Sequence, residues 1–468
     1  MENHLIALLD NAGLLKGNQV VEGRLRNISA HEIIELATQA SEITSAERVG
    51  REDSSFTFTS SLSLAGGSDP CFMPSCRLQR VKELGQFAAL YGDRVYVKCF
   101  LSDYVTNPSN VVHVHDDAIR ESFAIDVAVL AYLRPLIEAR RIVPVTPPTN
   151  RCPYCLSSHI LFDERTSHRL NNAYKKLERR YFHEVEQRAN LFGDELLVGL
   201  RGPDDLLEHG GGGHIFRRTP DFIKTMPTVY HRLRRGGELV LSPTVRKQLG
   251  LHSRLTSSVI NNVVFELAMT QSLNTRLLTE RQLEVDVLNG ISGDVNVGTQ
   301  NELIRKHLTL LLPFVAELEP TDLLRLRKGE EEALILFRKA LSQAVDQVKG
   351  EGTMLDSKRL KAIYGDVLEP GLARLDAKIK TARGQLVRGT LRKAGAWTGA
   401  ISFGMFTGLL PPTLVAAASA LGLVKVVAEL AELAMKVHDQ RSEIQSDELY
   451  FLWRVRQIAR TRRENRPK

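Results

Sequence analysis

The alternation of apolar and polar residues predicts that helices and strands succeed one another in the first third of the chain. The stretch HEIIELATQASEI, residues 31–43, has apolar residues three and four apart, which is the spacing of an amphipathic helix. Residues 56–64 instead alternate phenylalanine or leucine with small polar residues. This period of two predicts a strand.

The same succession continues downstream. The stretch LQRVKELGQFAALYG has a helical pattern and precedes DRVYVKCF, which has the pattern of a strand. A long, largely buried helix is predicted from Asp116, and the short strand RIVPV follows it. Strands that alternate with helices indicate helices packed against a sheet, so we predict an α/β domain over residues 1–150.

Residues 151–298 predict a mixed α+β segment. A polar helix is expected at 166–190, and DELLVGL and HIFRR have short strand patterns. The intervening HGGGGH predicts a flexible loop, because runs of glycine punctuate regular structure. Residues 299–468 read predominantly as helix, so the predicted fold class is α+β.

A charge-free run of 31 residues, Ala394–Val424, stands out in the C-terminal region. Pro411 and Pro412 divide it into arms of 17 and 12 residues, and prolines at this point should end or kink a helix. The second arm continues as an amphipathic helix. We predict a helical hairpin over 394–438, either buried in a helical domain or inserted into a membrane, since about 20 apolar residues suffice to span a bilayer.

The basic residues are concentrated around this run. The chain carries a formal net charge of +7. Residues 374–393 carry +6, residues 425–453 carry −3, and residues 454–468 carry +6. Such asymmetry indicates an anionic partner for the C-terminal region, either lipid headgroups or nucleic acid.

Both tryptophans of the chain lie in this region, beside the basic clusters, where interfacial anchors are expected. This favours lipid as the partner, together with a partner protein, and nucleic acid as the less favoured alternative. The residues predicted to contact lipid are Arg388, Arg392, Lys393, Trp397, Phe403, Phe406, Leu409, Leu410 and Trp453.

Five cysteines, an odd number, argue against a disulfide framework and favour a reducing compartment. The opening residues MENHLIALLDNAGLLKG have no basic leader before an apolar run, unlike a secretory signal. We therefore expect a cytoplasmic protein, peripheral at the inner face of the membrane.

The tetrapeptide CPYC supplies the candidate metal site. Glutaredoxins carry this tetrapeptide after a strand and at the start of a helix, but here loop and strand patterns flank it. If a metal is bound, the prediction is structural zinc held by Cys152, Cys155 and His159, with His168 as the alternative histidine ligand. The other possibility is that no cofactor binds and the thiols only pack.

No catalytic motif is complete. The segment HVHDD resembles the metal motif of the metallo-β-lactamase fold but has Ala118 where a further histidine is required. The segment HGGGGH would need a G-x-S-x-G nucleophile elbow, which the sequence lacks. We therefore expect a non-enzymatic interaction protein, with a nucleic-acid-binding or metal-dependent enzymatic component as the alternative.

Three further stretches, LYGDRVYV, LRPLIEARRIVPV and LYFLWRV, are similar to stretches of uncharacterised bacterial proteins, some of which are encoded among antiviral defence genes. The resemblance covers a few dozen residues. It implies a bacterial accessory protein with a role in antiviral defence.

Overall fold

The predicted fold class is confirmed: the computed structural model is a mixed α+β protein with parallel and antiparallel sheets. It divides into two compact units, Met1–Glu302 and Leu303–Lys468, called here the N-terminal and C-terminal units. The structure describes residues 4–45, 56–67, 73–106, 116–146, 164–207, 211–216, 218–279, 281–292, 318–339, 373–377, 447 and 450–464.

The first half of the N-terminal unit has the predicted succession of helices and strands. Its elements are α1 (His4–Asn11), β1 (Leu15–Lys16), β2 (Gln19–Val20), α2 (Glu22–Asn27), α3 (Ala30–Ile43), β3 (Thr57–Ser60), α4 (Pro74–Leu90), β4 (Arg94–Lys98), a 3-10 turn (Phe100–Ser102), α5 (Asp103–Thr106), α6 (Asp116–Glu138) and β5 (Ile142–Val145).

The second half continues with longer helices and a second group of strands. Its elements are α7 (Glu164–Glu184), β6 (Glu186–Phe192), β7 (Glu195–Arg201), β8 (Gly211–Phe216), α8 (Asp221–Lys224), α9 (Pro227–Arg234), β9 (Leu239–Val240), α10 (Pro243–Leu249), α11 (Leu251–Leu273), β10 (Arg276–Leu278) and α12 (Gln282–Ser292).

A four-stranded parallel sheet has the order β10-β3-β4-β5. All four residues of β3 are buried, as expected for a parallel sheet whose two faces are covered. β3 is shorter than the predicted strand, because the chain turns after Ser60. The edge strand β10 pairs with β3 in the register Leu277↔Thr59, so residues from the 151–298 segment complete the sheet of the first 150.

A second, antiparallel sheet has the order β8-β7-β6-β9. Its buried face packs on α7 and α11 in one apolar cluster that includes Leu177, Val198 and Val263. Helix α11 also contacts β3. It therefore joins the two sheets within the N-terminal unit.

Two predictions for this sheet are wrong. The helix predicted to reach residue 190 ends at Glu184, and the residues after it form β6. Gly211–Gly213, predicted as part of a loop, lie in β8. Helix propensity and glycine flexibility are weak local preferences, and pairing with β7 along the whole of both strands overrides them.

A buried polar cluster fixes α4 against α6. The Arg77 guanidinium, 2% exposed, forms a salt bridge with the Asp126 carboxylate. The Tyr104 hydroxyl donates to the other oxygen of Asp126 at 2.8 Å, and Arg77 also donates to the Gly66 carbonyl. Burial raises the pKa of the Asp126 carboxyl, and the Arg77 guanidinium opposes that rise.

The described part of the C-terminal unit is helical. It comprises α13 (Pro320–Gly329), a helical segment at 331–339, a short helical segment at 373–377 and α14 (Tyr450–Glu464). Phe337 and Phe451 stack with their ring centroids 5.8 Å apart. Among the described residues of the whole chain, no helix has the length and apolar character needed to cross a membrane. The predicted hairpin 394–438 lies outside the described residues.

Candidate functional site

The candidate site is built around β8, which lies at one edge of the antiparallel sheet. The direction in which the N–H and C=O groups of β8 point can be derived strand by strand, starting from β6. The Leu241 N–H donates to the Gln187 carbonyl at 2.9 Å, so Gln187 directs its backbone groups toward β9. Successive residues of an antiparallel strand direct these groups to opposite sides. Arg188 therefore directs its groups toward β7, where it lies opposite Gly199.

The same alternation extends to the open edge. Val198 is the neighbour of Gly199 in β7, so its backbone N–H and C=O groups point to the other side, toward β8. There it lies opposite His214. The N–H and C=O groups of Gly211, Gly213 and Ile215 therefore point away from the sheet. In the part of the chain that the structure describes, no segment pairs with this outer edge.

The glycines of β8 are not required by the packing of the fold. A methyl group on Gly211, Gly212 or Gly213 would meet its nearest neighbour at 3.5 to 3.7 Å, an ordinary contact, and none of the three has a positive φ. Glycine within a strand often marks a place where another backbone approaches closely. The edge is also unprotected, because β8 contains no proline and no charged residue, the devices that usually prevent strand addition.

A cleft of about 1300 Å³ lies along β8. Its other walls include Met73 and Cys76 at the start of α4, and Arg254, Leu255 and Ser258 of α11. Pockets for small molecules usually measure about 300 to 1000 Å³. The cleft is therefore larger than a small ligand needs, and one of its walls is a backbone edge.

The two sides of the β8 edge differ in chemistry. On the helix side, the Arg254 guanidinium lies 5.4 Å from the ring centroid of Phe216, and within the described chain it makes no ion pair. Burial, and then the charge of Arg254, lower the pKa of His214, which leaves Arg254 as the fixed cation on this side. On the outer face, Leu197 lies opposite Ile215, which is 55% exposed.

Most sequence-predicted site residues lie outside the described residues. These are Arg388, Arg392, Lys393, Trp397, Phe403, Phe406, Leu409 and Leu410 for lipid, and Cys152, Cys155 and His159 for zinc. No group of three or more His, Cys, Asp or Glu residues suited to a metal ion occurs among the described residues. Both the lipid contacts and the zinc site stay predictions.

Trp453 is the one predicted lipid contact that the structure describes. Its side chain packs within the C-terminal unit, and the residue is 7% exposed. The indole N–H donates to Asp376 at 3.0 Å, and the ring stacks on Tyr450. The described packing therefore holds this indole inside the helical unit.

No protein-family model, curated protein or solved structure matches the chain. The site is therefore interpreted from its own chemistry. An unpaired strand edge inside a cleft is the arrangement by which sheets accept an extended peptide as an additional strand.

Proposed function

We propose that the N-terminal unit binds an extended segment of a partner protein by strand addition to β8. The observation that carries this proposal is the open, glycine-rich edge, whose outward N–H and C=O groups have no partner among the described residues. Backbone hydrogen bonds supply the affinity in this mode of recognition, and pockets for alternate side chains supply the specificity.

The chemistry beside the edge defines the segment. Side chains of an added strand point alternately to the two faces of the sheet. Those on the helix side meet Arg254 and His214, and those on the outer face meet Leu197 and Ile215. The partner segment should therefore alternate acidic with apolar residues.

A decapeptide that alternates Glu and Val is expected to bind the full chain about tenfold or more tightly than one that alternates Lys and Val, because complementary charge favours one and repulsion disfavours the other. Fluorescence anisotropy with labelled peptides measures this difference. The substitution Arg254→Glu should reverse the preference, since Arg254 is a cation beside the edge that makes no ion pair with any described residue.

Two controls accompany this test. A peptide of the same composition with five Glu followed by five Val should bind weakly, because it cannot place acids on one face only. Arg232→Glu, at an exposed position of α9, should leave the preference unchanged. Strand addition with this specificity would be refuted if the two alternating peptides bound equally. It would also be refuted if Arg254→Glu left the preference for the Glu/Val peptide unchanged.

For the C-terminal region we propose engagement of anionic lipid at the inner face of the membrane, with the protein in the cytoplasm. The support is the charge-free run 394–424 between two clusters of +6. Each Lys or Arg near an anionic surface contributes about 1 kcal/mol, and salt screens this attraction. Insertion of the apolar arms should resist salt.

Binding to phosphatidylserine liposomes is therefore expected to have a salt-sensitive and a salt-resistant component. Gly404→Glu and Leu410→Asp should remove the resistant component, because each puts a charge into the apolar arm. Sedimentation with liposomes at low and high salt measures both, and circular dichroism checks folding. If the wild type does not bind liposomes and the variants unfold, the run belongs to the protein core and the lipid proposal fails.

A further inference from the structure

Helix α7 has one apolar side and one basic side. Its apolar residues Leu170, Ala173, Tyr174, Leu177 and Tyr181 belong to or pack against the core under the antiparallel sheet. The opposite side is exposed and polar, and its exposed residues between 167 and 183 include His168, Arg169, Asn171, Asn172, Lys175, Lys176, Arg179 and His183. Three neighbouring cations of this second side form a basic stripe, defined here as Lys175, Lys176 and Arg179.

None of the residues that the structure describes neutralises the basic stripe. No hydrogen bond or ion pair joins the side chain of Lys175, Lys176 or Arg179 to another residue in the described ranges. The one carboxylate between residues 167 and 183 is that of Glu178, and it accepts a hydrogen bond from the Ser253 hydroxyl of α11 at 2.5 Å. That acid is therefore engaged on the packed side of the helix.

Such a cluster of like charges destabilises the helix that carries it. Lys175 and Arg179 are four residues apart, as are Lys176 and Arg180, and like charges at this spacing destabilise a helix. Arg180 escapes this repulsion through ion pairs with Glu184 and Asp205, both at 2.8 Å. An anionic partner would relieve the repulsion among the remaining three cations.

The side chains around the stripe favour one kind of polyanion. A helix that binds a membrane surface places apolar residues beside its cations, but the apolar residues of α7 face the core. The exposed neighbours are instead hydrogen-bonding groups, with Asn172 and His168 3.1 Å apart. The polar lining of a groove of about 310 Å³ beside the stripe consists of Arg169, Asn172, Lys176 and Arg180 with one carboxylate, that of Asp286. Phosphate and sugar oxygens are bound by such cationic and amide side chains.

We propose that the exposed side of α7 binds the sugar-phosphate backbone of a nucleic acid through Lys175, Lys176 and Arg179. This contact reads no base sequence, since it uses charge and backbone oxygens. It is separate from the β8 edge and does not depend on strand addition there.

The test is the binding of a fluorescein-labelled 20-base-pair DNA duplex to the full chain across a salt series. Replacing the three cations by alanine should weaken binding about tenfold or more at 0.1 M salt and lower the slope of log K against log salt by about 2.7, at about 0.9 per phosphate contact. The comparison with wild type removes any constant contribution from the basic C-terminal tail.

The matched control removes the same charge elsewhere. The triple substitution Lys16→Ala, Lys224→Ala and Lys328→Ala changes three exposed lysines on β1, α8 and α13 and should leave the slope unchanged. Alanine favours helix, so the stripe variant should remain folded, and glutamine at the same three positions provides a second version if it does not. An unchanged slope in the stripe variant, or an equal loss in the control, would overturn the proposal. So would a stripe variant that loses binding to anionic liposomes, measured in parallel, but not to DNA.

Discussion

Replacing Gly213 by proline is expected to abolish binding of the alternating Glu/Val peptide while leaving the N-terminal unit folded. The Gly213 N–H points to the open edge, so proline removes a donor that an added strand needs and none that β7 uses. Proline is tolerated at such an outward position of an edge strand, and its ring meets no neighbour closer than ordinary contact at the Cβ position. Anisotropy titration should show a loss of about a hundredfold or more, the equivalent of roughly 2.7 kcal/mol.

Gly213→Ala is the matched control for this substitution. Alanine adds a side chain of similar position but keeps the N–H, and the nearest atom to its Cβ would be the Val198 carbonyl oxygen at 3.7 Å. Peptide binding should therefore be largely retained. If alanine and proline weaken binding equally, the side chain blocks the cleft and backbone pairing is not the mode of binding. If proline has no effect, the peptide does not bind at this edge.

Arg77→Met is expected to destabilise the N-terminal unit by about 3 to 5 kcal/mol, because removing one partner of a buried salt bridge leaves the other charge buried and unpaired. Both side chains are almost inaccessible, at 2% for Arg77 and 9% for Asp126. Globular proteins are stable by only about 5 to 15 kcal/mol, so this is a large share of the total. Hydrogen exchange of the α4 and α6 amides in the full chain, read by mass spectrometry, should quicken by roughly two to four orders of magnitude.

The control is an ion pair of the same chemistry at the surface. Arg26 and Glu22 are both 79% exposed and lie 3.3 Å apart, and exposed pairs of this kind contribute about 0 to 1 kcal/mol. Arg26→Ala should therefore leave exchange in α4 and α6 unchanged. Protection in Arg77→Met equal to that of the wild type would show that the buried pair does not hold α4 against α6.

In the middle segment, residues 151–298, the local sequence pattern predicts one strand of the antiparallel sheet correctly and misses another. The strand pattern DELLVGL correctly indicated β7, because Leu196, Val198 and Leu200 fall at alternate positions and share the buried face of the sheet. The residues of β6 have helix-favouring glutamate, glutamine and arginine at its start, and they were predicted as the end of α7. Gln187 and Ala189 are buried at alternate positions of β6. This strand-like burial arises only because β6 pairs with β7 on one side and with β9 on the other.

The candidate site shows the same limit. The glycine run was noticed as a loop, and the strand-like HIF that follows it was the one local signal for β8. Nothing in the glycines themselves indicates an edge, because an edge is defined by the absence of a neighbour along the described chain. The same holds for Arg254: that it makes no ion pair among the described residues depends on which carboxylates the fold brings near it.

The sequence by itself determined the properties that local spacing and charge count decide. These are the α+β class, the long helix from Asp116, the charge-free run 394–424 and the concentration of basic residues around it. The tertiary structure alone decided the properties that depend on residues far apart in the chain. β10 joins β3 across more than two hundred residues, Arg77 meets Asp126, and β8 has an outer edge that no described segment covers. Periodicity reports which side of an element is buried, but the free energy of long-range pairing decides what it is buried against.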